Sequence, residues 1–351
     1  MKKKKLSLTM TLIVMLFCAF CMFSCKKKEE GSTTEAVLFK IESDTTYFSF
    51  ENSDVFLGNI RDISVDETSN IYLLDRSDNL IKKFDKQGNF ERSFLSGIGH
   101  GPGETQQPNA LHIDKSGNIY VTDQSENKLI IVDADNQLIA ESVIGKMPSS
   151  VVASGLDQIY VVGFRHSYRG NLVTSYSIND QQEIVERVSL VERNLNEDNI
   201  DLVGMTGFSD KISIDSFENL YFNWTFPYKV EVYNSADEKF IETTRDIPFF
   251  RYPERSGGMV KPFAVGRDVL PLSENLFAVR YTDLSDIESP VSYLDFYNLN
   301  GELLGSHSFT ELGMSEQGNH YTSASHGSEN AIYVLHNNPS THLIKHVFKL
   351  E

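Results

Sequence analysis

Residues 97–123 read Gly97-Ile-Gly-His-Gly-Pro-Gly-Glu-Thr-Gln-Gln-Pro-Asn-Ala-Leu-His-Ile-Asp-Lys-Ser-Gly-Asn-Ile-Tyr-Val-Thr-Asp123. A Gly/Pro loop leads into a short strand, a tight turn and a second strand. The glycines precede a strand and not a helix, so the stretch lacks the helix N-terminus on which phosphate is held. Its second half recurs along the chain. Copies run from Ile63 to Leu74, Leu111 to Thr122, Val152 to Val162, Ile212 to Asn223, Val269 to Val279 and Ala324 to Leu335. An Asn closes each turn (Gln158 in the third copy), a residue tolerant of the left-handed backbone that such turns need. An apolar strand with an aromatic near its start follows: Tyr72, Tyr120, Tyr160, Tyr221, Phe277 and Tyr333, spaced 48, 40, 61, 56 and 56 residues apart.

Each copy continues alike. A polar loop precedes a third strand, at Leu80–Phe84, Leu129–Val132, Leu172–Ile178, Lys229–Tyr233, Val291–Tyr297 and Leu343–Phe348. Five units add a second turn and a fourth strand. No long window holds a clear 3.6-residue apolar period; the best helix candidate, Gln181–Arg193, fits a strand equally well. Four antiparallel strands per 40–60 residues is the pattern of a β-propeller blade. The sixth unit stops after its third strand, and spare strand precedes the first unit at Val37–Ile41 and Thr46–Phe50. The expected fold is all-β: a six-bladed β-propeller, four antiparallel strands per blade, with the last blade completed by an N-terminal strand that removes a free edge.

The chain has 351 residues and a net charge of −17. Without Lys2–Lys5 the remaining 28 basic residues face 49 acids, giving −21. Such a surface repels phosphate backbones, so no nucleic-acid partner is expected. All three cysteines, Cys18, Cys21 and Cys25, fall in the first 25 residues, which leaves no disulfide framework and no cysteine metal site in the body of the chain. Lys2–Lys5 followed by the apolar run Leu6–Phe23 is the layout of a signal peptide.

Met22-Phe23-Ser24-Cys25 resembles a bacterial lipobox. Cleavage there would leave Cys25 as the lipidated first residue. Lys26-Lys-Lys-Glu-Glu30 is similar to the charged tag behind that cysteine in surface-exposed lipoproteins of Bacteroidetes-type bacteria. The stretch 97–123 resembles the NHL repeat, and the chain is similar to six-bladed β-propeller lipoproteins of that group. The resemblance implies fold far more than function. The expected domains are a signal peptide over 1–24, a polar tether over 25–36 and an NHL-like propeller over 37–351. The expected location is the cell envelope, lipid-anchored to the outer membrane, and a monomer is expected.

In a propeller, the loops from second to third strand and from blade to blade share one face. Here they are the long and variable set, where function is expected. They carry the candidate ligand-binding residues Arg76, His100, Asn109, Arg165, His166, Tyr168, Trp224, Tyr228, Arg251, Tyr252, Arg280 and Tyr281. Aromatic, Arg and Asn side chains on a concave face suit a glycan, peptide or protein ligand. Asp75 and Asp123, at strand ends, read as caps on backbone N–H groups. No Gly-x-Ser-x-Gly or His-Glu-x-x-His motif occurs, so no catalytic residue, cofactor or metal ligand is assigned. The expected function is a binding module. A metal-dependent hydrolase or lyase with its site at the central channel is the alternative, as is an accessory subunit of a surface nutrient-uptake complex.

Mass spectrometry of the mature protein checks the leader. The expected N-terminus is an acylated Cys25 with residues 1–24 absent; an unmodified Cys25 contradicts it.

Overall fold

The computed structural model describes residues 39–40, 46–49, 55–145, 147–163, 169–194, 208–256, 259–261, 263–315, 320–324, 331–336 and 341–350. Six four-stranded antiparallel sheets form blades 1 to 6. Their inner strands are Ile60–Val65, Pro108–Ile113, Pro148–Gly155, Lys211–Ile214, Ala264–Ser273 and His320–Ala324. Each lies beside the inner strand of the next blade, and the sixth lies beside the first, so the ring is closed. The fourth strand of blade 6 is Thr46–Ser49, paired with His342–Val347 in the register Thr46↔Lys345 to Ser49↔His342. A second contact pairs Phe39–Lys40 with Lys349–Leu350. Gln181–Arg193 falls mostly on the strand Ile184–Asn194. No helix among the described residues is long and apolar enough to cross a membrane.

The repeat becomes a ring because each strand must bury both faces. Apolar residues on successive sides of a blade meet those of its two neighbours, giving one core cluster per blade interface. Tyr72, Leu74 and Ile81 of blade 1 join Leu111, Ile119 and Ile130 of blade 2. The same arrangement recurs around the ring. The seam is sealed by Phe48, Ile63 and Leu73 against Tyr333, Leu335 and Leu343. All six repeat aromatics are buried in this way.

The turns between first and second strands are bracketed by side chains. Asp114 Oδ1 accepts the Ser116 and Asn118 amides, and its Oδ2 accepts Asn118 Nδ2 at 2.8 Å and the buried Tyr120 hydroxyl at 2.8 Å. Asp66–Asn70–Tyr72 and Asp215–Asn219–Tyr221 repeat the device. The left-handed residue is not the Asn but the one before it: Ser69, Gly117 and Glu218, with φ of 67°, 82° and 67°. The Asn serves through its side-chain amide. In blade 3, which has no such Asp, the Tyr160 hydroxyl instead donates to Asp237 of blade 4 at 2.6 Å. Blade 5 dispenses with the hydroxyl: Phe277 stacks on Tyr297 with centroids 5.3 Å apart. A buried hydroxyl without an acceptor is costly, so acceptor and hydroxyl travel together.

His346, in the third strand of blade 6, is buried, and neither ring nitrogen has a hydrogen-bond partner. Burial pulls its pKa from 6.5 down to about 4. The folded state therefore favours the neutral ring. Its contribution is whole above pH 6.5 and is lost as the pH falls toward 4, a swing of about 3 kcal/mol. Urea unfolding at pH 7 and at pH 4.5 should show a loss of stability in the wild type that is smaller in His346→Leu. Equal losses in the two proteins would contradict this account of His346.

Candidate functional site

The face carrying the blade-to-blade loops is built from strand ends held by buried carboxylates. Asp75, at the end of the second strand of blade 1, accepts the Gly58, Asn59 and Ser77 amides and the Lys82 ammonium. Burial pushes its carboxyl up, but Lys82 and the amides outweigh burial and hold it at about 2. Asp123 does the same in blade 2, taking the Gln106 amide at 2.6 Å and the Gln107, Ser125 and Glu126 amides. Both carboxylates cap turns, as read from the sequence, and each fixes the chain just before it enters an inner strand. The glycine loop ahead of the blade 2 strand is closed on itself. Thr105 N donates to Gly97 O at 3.0 Å, and the Gly101 amide is taken by Glu104 Oε2 at 2.7 Å. A carboxylate of the chain itself thus occupies the amide of this Gly-rich stretch.

Beyond these anchors, four inner strands bulge toward their mouth end, at the same register in blades 1 to 3 and one residue displaced in blade 5. The register jumps between Ile60 and Asp62, Pro108 and Ala110, Pro148 and Ser150, and Gly266 and Asp268. The extra residues are Arg61, Asn109, Ser149 and Arg267. A bulge re-aims a side chain that would otherwise keep the alternation of the strand. The first three join hands. Arg61 donates to Asn109 Oδ1 through Nε and Nη2 at 2.9 and 2.7 Å, and Asn109 Nδ2 donates to Ser149 O at 3.2 Å.

Hydrogen bonds continue round the ring. Ile212 N donates to Ser150 Oγ, Gly266 N to Thr225 O, and Thr322 Oγ1 to Asp268 Oδ2 at 2.7 Å. This polar girdle runs from blade 1 to blade 6 around the upper end of the channel. Inside lies a cavity of about 90 Å³ lined by every inner strand, including Asp62, His112, Ser150, Lys211, Asp268 and Thr322. That is too small for a drug-sized ligand.

Charge is concentrated here. Arg61, Lys211, Arg267 and Arg280 face Asp62 and Asp268. Burial raises the Asp62 carboxyl; Lys211 of blade 4 and the Leu111 and Ile63 amides draw it partly back. Asp268 is paired with Arg280 at 3.1 Å. A chain of net charge −17 thus gathers cations at one mouth. At the opposite mouth Lys115 reaches across from blade 2 and donates to Ser216 O of blade 4 at 2.6 Å.

Of the residues expected from the sequence, Asn109 lies in the girdle and Arg280 beside it. Arg76 is half-buried and donates to Pro108 O at 2.8 Å, anchoring the blade 2 inner strand. His100 is exposed on the same face, with Nδ1 2.5 Å from Glu126 Oε1. Arg251 is exposed, and half-buried Tyr252 packs on Phe226. Trp224, Tyr228 and Tyr281 are core residues and do not line the mouth. Tyr228 donates to Asp295 Oδ2 at 2.7 Å, and Tyr281 stacks on Tyr293 at 4.9 Å. The Trp224 ring lies between the Arg193 and Lys229 cations, 4.6 and 4.9 Å away. Arg165, His166, Tyr168 and Cys25 lie outside the described residues. Among the described residues no three His, Cys, Asp or Glu side chains come together as a metal-binding group.

Sequence reasoning missed Arg61, Ser149, Lys211 and Arg267. Each sits at or near the start of an inner strand, 10 or 11 residues before the aromatic of its repeat, so extending the alignment of the units upstream would have brought them close together without putting them in one column. The bulge itself leaves no mark in the residue types.

The closed ring of six four-stranded sheets defines a six-bladed β-propeller, a class whose ring serves generally as a binding or interaction module. A family described as DUF5128, 6-bladed beta-propeller, matches residues 32–252, and the chain belongs to that family. No curated protein matches the sequence significantly. Among solved structures it is similar to a member of the DUF4221 family from Bacteroides vulgatus, with 10% identity, TM-score 0.58, and coverage of 89% of this chain and 98% of that one. It is also similar to Kuenenia stuttgartiensis hydrazine synthase, with 12% identity, TM-score 0.54, and coverage of 81% and 76%. At such identities the likeness concerns the fold.

Trp224 is only 7% exposed, so Trp224→Ala should lower unfolding stability by about 3–5 kcal/mol in chemical denaturation. A loss within about 0.5 kcal/mol, the usual range for a surface substitution, would return Trp224 to the ligand-binding candidates.

Proposed function

We propose that this protein is a lipid-anchored, extracytoplasmic binding module of the cell envelope. Its ligand, a glycan, a peptide or a segment of a partner protein, seats over the channel mouth on the face of the long loops. The observation that carries the site is the bulge shared by four inner strands. It turns Arg61, Asn109, Ser149 and Arg267 out of the strand alternation near the mouth end of their strands. Bulges concentrate beside functional sites because they aim side chains. A binding surface also needs rigid support, which the girdle and the buried Asp75 and Asp123 caps supply. The anchoring half of the proposal rests on Lys2–Lys5, the apolar run after them and the lipobox-like Ser24-Cys25, with a cysteine-free body behind.

Glycan and peptide arrays probed with the full-length protein in detergent test the site. Ligands found with the wild type should bind about tenfold or more weakly to Arg61→Ala, which loses a charge-assisted contact, while its circular dichroism spectrum shows the ring still folded. Ligands retained by Arg61→Ala at full strength would place the site elsewhere on the ring.

A further inference from the structure

Arg267 differs from the other cations of the mouth in what surrounds it. The residue before it, Gly266, has no space for a side chain: a Cβ there would lie 2.4 Å from the Trp224 carbonyl oxygen of blade 4. This close approach, with the Gly266 amide bonded to Thr225 O at 3.1 Å, pins the blade 5 bulge against blade 4. The Arg267 guanidinium is then laid over the Phe208 ring, 4.1 Å from its centroid, and Nε donates to Thr282 Oγ1 at 3.3 Å.

Arg193, Arg245 and Arg280 each reach a carboxylate, on Asp210, Asp295 and Asp268. Arg61 spends Nε and Nη2 on Asn109. Among the described residues, Arg267 has no carboxylate in ion-pair range, and both of its terminal nitrogens are unused. Burial, and after it the repulsion of Arg280, pull its pKa down to about 10, with Asp268 opposing. The groups facing it are therefore a second arginine, an aspartate already satisfied by Arg280 and Thr322, and an aromatic ring. Holding a half-buried guanidinium there with no carboxylate in ion-pair range among the described residues costs stability, which the fold retains as it would at a prebuilt site.

We propose that Arg267 is the carboxylate-binding residue of the mouth, its planar fork taking a ligand's carboxylate while Phe208 carries the apolar or sugar-ring portion beside it. The proposal rests on the mouth being the binding site. A single unused fork beside Asp268 favours a monoanion over a doubly charged phosphate, and the planar fork matches a carboxylate in two parallel hydrogen bonds. The carboxylate can come from an acidic sugar or from an acyl amino acid.

The test uses the full-length protein in detergent and calorimetric titration. The probes are galacturonate and N-acetylphenylalanine, with galactose and N-acetylphenylalanine amide as neutral counterparts, and inorganic phosphate. The proteins are the wild type, Arg267→Met, Arg267→Lys, Arg61→Ala and the opposite-face control Lys86→Gln. At least one acid should bind about tenfold more tightly than its neutral counterpart. That preference should vanish in Arg267→Met, return only in part in Arg267→Lys and persist in Lys86→Gln; which acid binds identifies the source. Without ligand, Arg267→Met should melt no lower than the wild type, because it removes a half-buried charge that has no carboxylate in ion-pair range among the described residues. A purely structural role would lower the melting temperature instead, and that result overturns the proposal. So does acid binding that Arg267→Met leaves intact, phosphate binding more tightly than either acid, or failure of both acids to bind. If acid and neutral forms bind equally and Arg61→Ala abolishes both, the carboxylate claim fails while the mouth remains the site.

Discussion

The ladder between Thr46–Ser49 and His342–Lys345 is the contact on which the geometry of the whole ring depends. A blade is stable only when both of its faces are covered, because its strands are apolar on both sides. Five interfaces can form between consecutive units of an open array. The sixth needs the chain's two ends to meet, and the N-terminal strand does this by completing the blade that the C-terminal segment leaves with three strands. It brings Phe48 into the seam cluster with Tyr333, Leu335 and Leu343 and removes a hydrogen-bonding edge that would otherwise invite pairing with another chain.

Closure also makes the mouth. In an open array, Arg61 of blade 1 and Arg267 of blade 5 would have no fixed relation. In the closed ring they sit near the mouth end of their strands, separated by the single inner strand of blade 6, with Asp268 bonded to Thr322 on that strand. The girdle is thus a product of topology as much as of side-chain chemistry. Its members are bonded to neighbours in the ring and not in the sequence: Asn109 links residues 48 positions before it and 40 after it. The narrow cavity below leaves room for water and small groups only, which is why the proposed site lies at the mouth and the loops that rim it.

Much of this architecture was legible in the sequence because it follows from local rules. The Asp–Asn–Tyr turn recurs with fixed spacing, since one carboxylate must satisfy a turn and a buried hydroxyl together. The missing fourth strand of the sixth unit pointed to the N-terminus, and the ladder at Thr46–Ser49 identifies which spare strand is used. The site was less legible. Trp224 and Tyr281 looked like a ligand's contacts because aromatic residues near loop starts are also what a blade interface buries, and composition does not separate the two. Arg267 was overlooked because its role depends on a bulge, on Gly266 lying against a carbonyl of the next blade, and on Phe208, 59 residues away in sequence. The first forms only when blade 5 pairs its strands and the other two only when blades 4 and 5 pack together, so none is written in the local sequence.

The account therefore joins a closed ring to a charged and partly aromatic mouth. Four cations stand there against two carboxylates that the protein already engages, on a molecule otherwise rich in acid. Crystals of the mature protein soaked to saturation in parallel with galacturonate and with N-acetylphenylalanine examine this most directly. The account predicts at least one of the two acids at the mouth, with its carboxylate in hydrogen-bonding contact with the Arg267 guanidinium and its ring toward Phe208. A mouth empty of both, or acid bound only at the opposite face or along the outer strands, would contradict it.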